Sequence, residues 1–307
     1  MLIGKANMLV VGGTGFIGSV FAKKAVENGY TVTVLSSGNA NNIFFKDDIE
    51  YVVADITDKN NLSRVIEKRY FTHVVNFGGY VNHSKFNSGG FEVIHQHFDA
   101  VRNIVRCLNW DTLECFLQIG SSDEYGNVKG PQNECIREMP ISPYSFGKTA
   151  STHFLQMLNF TEGFPSVIGR LFLVYGEGQS LKRFLPQVIT ACLENKMFPV
   201  SYGNQVRDFC YVMDVVDALF LALNEDKAKG ELLNIASGIP ISIREVVEKV
   251  TLLTGAGKPQ FGQIPYRKGE NMSLFADISK AKKILNWTPK ISLEDGLTST
   301  INFFSEK

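Results

Sequence analysis

Several things are scarce in this sequence, and each scarcity removes a class of protein. Net charge is one, since 31 lysines and arginines face 31 aspartates and glutamates. Bulk electrostatics therefore gives no reason to expect a nucleic acid or an anionic membrane as partner. Cysteine is sparse and odd in number. Cys107, Cys115, Cys135, Cys192 and Cys210 form no C-x-x-C pair. Any disulfide scheme leaves one unpaired, which suits reduced thiols in a cytoplasmic protein. Long apolar runs are missing, because the most apolar helical stretch, residues 215–223, is interrupted by Asp217 and is far too short to span a bilayer. The glycine-rich turn described below comes too early for a cleavable signal to precede it. Internal repeats, low-complexity tracts and long linkers are absent. His95 and His97 lie two apart on an expected helix and point to different sides, with no H-x-x-x-H pattern. They read as surface or packing residues, and no metal is expected.

What is present is an ordinary globular composition, 307 residues with 44% apolar and 20% charged. That is enough for one large domain or two intimately packed ones around a sizeable core. The organising stretch is Gly12-Gly13-Thr14-Gly15-Phe16-Ile17-Gly18. It follows the apolar run Met8-Leu9-Val10-Val11 and leads into an amphipathic segment, so it reads as strand, tight turn, helix. Gly12 supplies a backbone conformation closed to other residues, Gly15 lets the main chain approach a pyrophosphate, and Gly18 allows close packing of helix on strand. The N–H groups and positive dipole at the helix start favour the anion.

Strands at 30–35, 51–54, 72–77, 115–119 and 166–174 alternate with helices at 62–68 and about 90–108. Such alternation implies a parallel sheet covered on both faces, a Rossmann-type doubly wound α/β fold with ligands at the carboxyl ends of its strands. The site is then expected from residues 12–18, 36–39, Asp55 and Ile56, 77–80 and the segment after Ile119. Beyond residue 175 the alternation becomes irregular, with helices at 182–196, 214–224, 242–254, 279–285 and 293–304 and strands at 207–212 and 232–236. The expected division is a dinucleotide-binding domain over 1–175, with 207–236 returning to it, and a smaller interleaved domain over 176–307. Ser242 followed three residues later by Glu245 is a helix start signal.

Two further constellations carry chemistry. Tyr144 and Lys148 are four apart and share a helix face. A free tyrosine has a pKa near ~10, too high for a base at neutral pH, and a neighbouring ammonium or the positive ring of an oxidised nicotinamide lowers it. Lys148 is also placed to hold the nicotinamide ribose hydroxyls. Ser121 and Ser122, then Asp123 and Glu124, stand at the carboxyl end of the fifth strand, where a serine hydroxyl can bond the substrate oxygen whose proton Tyr144 handles.

In this order the motifs resemble the extended short-chain dehydrogenase/reductases acting on nucleotide sugars, the epimerase/dehydratase group. The resemblance runs over nearly the whole chain and includes Gly169-Arg170, Val174-Tyr175-Gly176, residues 203–209, Asn234-Ile235-Ala236-Ser237-Gly238, Arg267-Lys268-Gly269-Glu270, residues 277–281 and Leu285-Asn286-Trp287-Thr288-Pro289. It implies Tyr144 as acid/base, Lys148 as its modulator and ribose ligand, and Ser121 as the catalytic hydroxyl with Ser122 beside it. It places Asp55 and Ile56 at the adenine and Phe77, Gly78 and Gly79 along the cofactor. Gln205, Arg207 and Arg267 fall on the nucleotide-sugar side, joined by Lys182 and Arg183. Guanidiniums suit a pyrophosphate because each can make a bidentate contact. The helices at 90–108 and 144–160 carry more apolar residues than a core face needs, and in this family such a pair forms a four-helix dimer interface.

Three departures from the family pattern bear on the reaction. Ser36 and Ser37 stand where an acidic residue would bind the adenosine ribose 2′-hydroxyl, which leans toward NADP over NAD. The six-carbon dehydratases of the family carry Thr-Asp-Glu after the strand. Counting back from Gly126, Ser122 and Asp123 occupy the Asp and Glu positions, and Glu124 reads as a polar turn residue. The asparagine common two residues before Tyr175 is Leu173. The reading that follows is reduction of the C4 ketone of a nucleotide-linked 4-keto-6-deoxyhexose. Alternatives are a 4-epimerase or dehydrogenase with tightly held NAD, a 4,6-dehydratase using Asp123 as base, and, outside the enzyme class, a non-catalytic NAD(P)-binding regulator.

Overall fold

The computed structural model describes residues 6–38, 49–267 and 269–306. Strand and helix alternate through β1 (Asn7–Val11), α1 (Phe16–Glu27), β2 (Thr31–Ser36), β3 (Ile49–Val53), α2 (Lys59–Ile66), β4 (His73–Asn76), α3 (Gly90–Ile94), α4 (Ala100–Cys107), β5 (Cys115–Ser121), α5 (Pro143–Glu162) and β6 (Ser166–Leu171). They continue as β7 (Leu173–Tyr175), α6 (Phe184–Leu193), β8 (Met197–Val200), β9 (Val206–Tyr211), α7 (Val212–Asn224), β10 (Leu232–Ile235), β11 (Pro240–Ser242), α8 (Ile243–Thr254), β12 (Lys258–Phe261), α9 (Ser279–Leu285) and α10 (Leu293–Ser305).

The seven-stranded sheet has the order β10-β6-β5-β4-β1-β2-β3 and is the expected Rossmann-type parallel sheet. Both faces of its central strands are covered: β4 and β6 are wholly buried, as are Met8, Leu9, Val10 and Val11 of β1. Leu9, Val11, Leu35, Val74, Ile104, Phe116 and Leu155 belong to one buried cluster that joins strands to helices. The chain starts in the middle of the sheet, builds outward through β2 and β3, then returns to the other side of β1 as β4. Val11 thus pairs with Leu35 on one side and Asn76 on the other. That reversal is the switch point where the strand-end crests part and a ligand fits.

The chain divides into two compact units. The first comprises Met1–Gly126, Glu138–Arg170 and Leu219–Leu233, and the second Asn127–Arg137, Leu171–Ala218 and Asn234–Lys307. Of the segment expected to return, 219–233 belongs to the first unit, whereas 207–218 belongs to the second. There β9 pairs antiparallel with β11 and parallel with β7. The single strand expected over 166–174 is interrupted at Phe172 and contributes to both sheets, as β6 and β7. A two-stranded sheet, β12-β8, completes the second unit. The buried Asp208 carboxylate fastens this unit, accepting hydrogen bonds from the N–H groups of Ser237, Gly238 and Ala276 and from the Ser237 hydroxyl. The recurring segments around 208 and 237 are therefore tied by one carboxylate. The helix start signal at Ser242 is a reciprocal capping box with Glu245.

Candidate active site

The turn after β1 has the geometry its glycines require. Gly12 has φ +72°, and a Cβ there would meet the Phe77 carbonyl carbon and oxygen at 3.0 Å. The crests after β1 and β4 therefore meet backbone to backbone. A Cβ on Gly18 would lie 2.5 Å from the Gly12 carbonyl oxygen, so only glycine lets α1 start this close to the turn. Among the described residues no side chain caps α1, whose first turn includes Phe16 and Ile17. An anion is the natural partner for such an end. Gly78 and Gly79 follow β4. A Cβ on Gly79 would fall on the His97 ring. Gly12, Thr14, Gly15, Phe16, Ile17, Gly18, Phe77, Gly78 and Gly79 thus lie on the two crests flanking the switch point, a cradle shaped for a dinucleotide.

At the flank of that cradle, the Ser36 hydroxyl donates to the Gly38 carbonyl at 2.7 Å and Ser37 is exposed. Asn39, the end of the predicted loop, lies outside the described residues. The Asp55 carboxylate accepts from the Thr57 N–H and hydroxyl, and the carbonyls of Ile56 and Thr57 accept from Asn103. These bonds shape the edge of the cradle.

The Tyr144 and Lys148 side chains are buried on the first turns of α5, which Ser142 caps and Pro143 begins. The Lys148 ammonium donates to the Ile119 carbonyl at 2.8 Å, tying α5 to the carboxyl end of β5. Burial pulls its pKa down to about 8, with the Glu124 charge pulling the other way. Lys148 is therefore a charge poised near neutrality. The Ser121 hydroxyl oxygen accepts the Asp123 N–H and caps the turn Ser122–Tyr125. Ser121 is partly accessible, whereas Ser122 is buried.

Glu124 is not the polar turn residue expected from the sequence. It is fully buried, with Oε1 accepting the Ser121 N–H at 2.7 Å and Oε2 accepting the Thr152 hydroxyl at 2.9 Å and Arg170 Nη2 at 2.7 Å. Arg170, also fully buried, bonds Glu138 as well and lies over the Tyr125 ring. Burial opposes its charge, but the carboxylates hold the guanidinium firmly protonated. Breaking one partner from such a pair costs about 3–5 kcal/mol. The signal missed was the glycine-arginine pair at 169–170, whose arginine finds its carboxylate 46 residues back.

His97 was expected at the surface or in packing, and the structure buries it beside Tyr144. The two rings meet edge to face with centroids 4.9 Å apart. It lies in a π-helical turn, His95–Asp99, that joins α3 to α4. A π turn adds a residue and shifts which side chains face inward, so a regular helical count misses it. His97 Nε2 bonds the Tyr80 carbonyl at 2.9 Å, which fixes the proton on Nε2 and leaves Nδ1 an acceptor. Among the described residues Nδ1 has no hydrogen-bond partner. Burial, then the Lys148 charge, depress the His97 pKa to about 3, against the pull of the Tyr80 carbonyl. His83 places its ring 5.5 Å from Tyr144 on a second side.

The residues expected at the nucleotide-sugar side belong to the second unit. Arg207 is buried, donates to the Val206 and Asn271 carbonyls and pairs with Glu270. Gln205 bonds the Ser201 hydroxyl at 3.2 Å. Lys182, Arg183 and Arg267 are exposed, and Lys268 lies outside the described residues. Among the described residues no group of three or more histidines, cysteines or carboxylates could hold a metal ion.

A glycine turn at the switch point, with a tyrosine and a lysine on a helix tied to the end of β5, defines a Rossmann-type oxidoreductase of the extended short-chain dehydrogenase/reductase kind. The family model described as the NAD dependent epimerase/dehydratase family matches residues 8–236, and the chain belongs to that family. A Methanocaldococcus jannaschii protein described as a provisional UDP-glucose 4-epimerase is 31% identical over 96% of this chain and 97% of its own. A dTDP-glucose 4,6-dehydratase of Xanthomonas campestris is 29% identical over 97% and 93%. The crystal structure of a UDP-glucuronic acid 4-epimerase from Bacillus cereus, in complex with UDP-glucuronic acid and NAD, superposes with a TM-score of 0.87 at 25% identity, covering 98% of this chain and 99% of that one. The chain is thus of the nucleotide-sugar epimerase/dehydratase type.

Proposed function

We propose that the protein reduces the C4 ketone of a nucleotide-linked 4-keto-6-deoxyhexose. Tyr144 donates its proton to the oxygen at C4 while the Ser121 hydroxyl polarises that oxygen. Lys148, held by the Ile119 carbonyl, supplies the charge that stabilises the phenolate left when the phenol gives up its proton. A bound nicotinamide dinucleotide supplies the hydride, and the crests at 12–18 and 77–79 would hold it. Asp55 and Ile56 line its adenine side. Ser36 and Ser37, lacking a carboxylate to repel a 2′-phosphate, favour NADP modestly over NAD. Gln205, Arg207 and Arg267, with Lys182 and Arg183, receive the nucleotide diphosphate.

The observation that carries this reading is the fate of Glu124. Its carboxylate is consumed by Arg170, so Asp123 is the one acid of that turn outside the buried pair. Water elimination needs an acid and a base, which disfavours a 4,6-dehydratase. A second reading, 4-epimerisation with the hydride returned to the same sugar, is favoured by the names of the M. jannaschii and B. cereus relatives. We infer a homodimer through α3, α4 and α5, where Phe91, Phe146, Met157 and Phe160 are exposed. All five cysteines are free thiols, in keeping with a cytoplasmic setting.

Unfolding the purified protein and identifying any dinucleotide released tests the choice. An empty protein that binds NADPH more tightly than NADH is the expected result. Retained NAD that dialysis does not remove would move the reading to the epimerase.

A further inference from the structure

The end of β5 is gripped from two sides, and Glu124 supplies one of the grips. Lys148 donates to the Ile119 carbonyl at 2.8 Å, and Glu124 Oε1 accepts the Ser121 N–H at 2.7 Å. Between them, a Cβ on Gly120 would lie 2.7 Å from Glu124 Oε1, so its bare backbone makes room for the carboxylate. Glu124 Oε2 accepts the hydroxyl of Thr152, one helical turn beyond Lys148 on the same face of α5. The charges of this interior balance only when Lys148 is included. Glu124 and Glu138 share Arg170, at 2.7 and 2.9 Å, and its guanidinium lies over the Tyr125 ring. Burial opposes the Glu138 charge, but Arg170 holds its carboxyl below the ordinary value. Two carboxylates against one guanidinium leave one negative charge, and Lys148 is the second buried cation of the set. His153, its ring exposed, meets Glu138 Oε2 at 3.3 Å from the outer side of α5. Across from Lys148, His97 stays neutral, because burial and then the Lys148 charge push it down to about 3. Tyr144 shares the Lys148 face of α5, and His83, paired with Asp123, faces the Tyr144 ring. Glu124 is the anion that acts on Lys148.

We propose that Glu124 is a positioning residue of the reaction centre, seating Ser121 by its backbone and keeping the Lys148 ammonium charged. The inference rests on the reading above, since it needs a reaction in which the Lys148 charge supports Tyr144. Without the carboxylate, burial acts on Lys148 unopposed, and its proton leaves at lower pH. Above that pH the phenolate left on Tyr144 lacks its counter-charge, and reduction slows. Glu124 thus sets the upper pH at which the centre works, acting through Ser121 and Lys148.

The test titrates Lys148 directly by NMR in the full chain as purified, with an isotope label at the lysine ε carbons. The signal absent from Lys148→Met assigns the residue. Wild type should titrate at about 8, and Glu124→Gln about one pH unit lower. Glu124→Asp keeps the charge and should return the titration most of the way to wild type. Reduction of dTDP- and GDP-linked 4-keto-6-deoxyhexoses by NADPH gives the second readout. The rate lost in Glu124→Gln should be about fivefold larger at pH 8 than at pH 6. A merely structural role would lower the rate equally at both. If the glutamine variant does not fold, combining it with Arg170→Met removes both charges of the pair and keeps the same titration readout. An unshifted Lys148, or an aspartate variant that shifts as far as the glutamine one, overturns this inference and leaves the reductase reading standing. A shifted Lys148 in a protein that reduces neither sugar overturns the reductase reading alone.

Discussion

The two compact units present their chemistry in contrasting ways. In the first, Tyr144, Lys148, Ser121, His83 and His97 converge on the end of one strand through contacts of side chain to backbone and ring to ring. In the second, Arg207 is locked against Glu270, while Lys182, Arg183 and Arg267 stand exposed on separate segments. The proposed hydride chemistry tolerates little displacement, which suits groups held in this way. Recognition of a nucleotide diphosphate can use long cations that settle when the ligand does.

The largest effect should come from His97, which ties the first unit's stability to acid. Its folded pKa of about 3 lies below the ordinary value of 6.5. Between those values the unfolded chain binds a proton that the folded protein refuses, so stability falls as pH drops from 6.5 toward 3. The loss approaches roughly 5 kcal/mol. Urea melts over that range should show the slope, and His97→Asn should flatten it. An unchanged slope in the variant would assign acid sensitivity elsewhere.

Next is Tyr144→Phe, expected to lower turnover about 10³-fold while leaving dinucleotide binding intact. Isothermal titration alongside rate measurement separates the two. For Lys148→Met the expected loss of activity at pH 7 is about 100-fold. Stability should move the opposite way. Because the folded pKa lies near 8 and the unfolded one near 10.5, the buried charge costs stability below pH 8, and its removal should stabilise by up to roughly 3 kcal/mol. A Met variant that is both less active and less stable would make Lys148 a structural residue. The smallest effect belongs to the second unit. Arg267→Met should raise KM about tenfold with kcat unchanged, the signature of a lost exposed phosphate contact.

The parts legible in sequence were those set by backbone demands within a few residues. Gly12 and Gly18 announce the turn because no other residue fits there, Ser242 and Glu245 announce a helix by capping it reciprocally, and the bounds of α9 follow from its local pattern. What escaped is non-local. Glu124 reads as polar because its arginine lies on β6, and β9 finds its partners in β7 and β11 rather than in the large sheet. The short β8 and β12 pair with each other across 57 or more residues and carry no alternation to reveal them. His97 falls within its packing reading, and only the π turn that seats it against Tyr144 is encoded by no regular period. Arg207 reads in the sequence only as a charge, and its pairing with Glu270, 63 residues on, is a further non-local contact.

The central claim, hydride delivery at C4 governed by Tyr144, is tested most directly by following the label. NADPH deuterated at the nicotinamide C4 is mixed with a nucleotide-linked 4-keto-6-deoxyhexose, and the sugar product is read by mass spectrometry and NMR. Deuterium at C4 in the wild-type product, delivered about 10³-fold more slowly by Tyr144→Phe despite intact cofactor binding, is the predicted result. Product formed without deuterium at C4, or label delivered equally well by the phenylalanine variant, would contradict it.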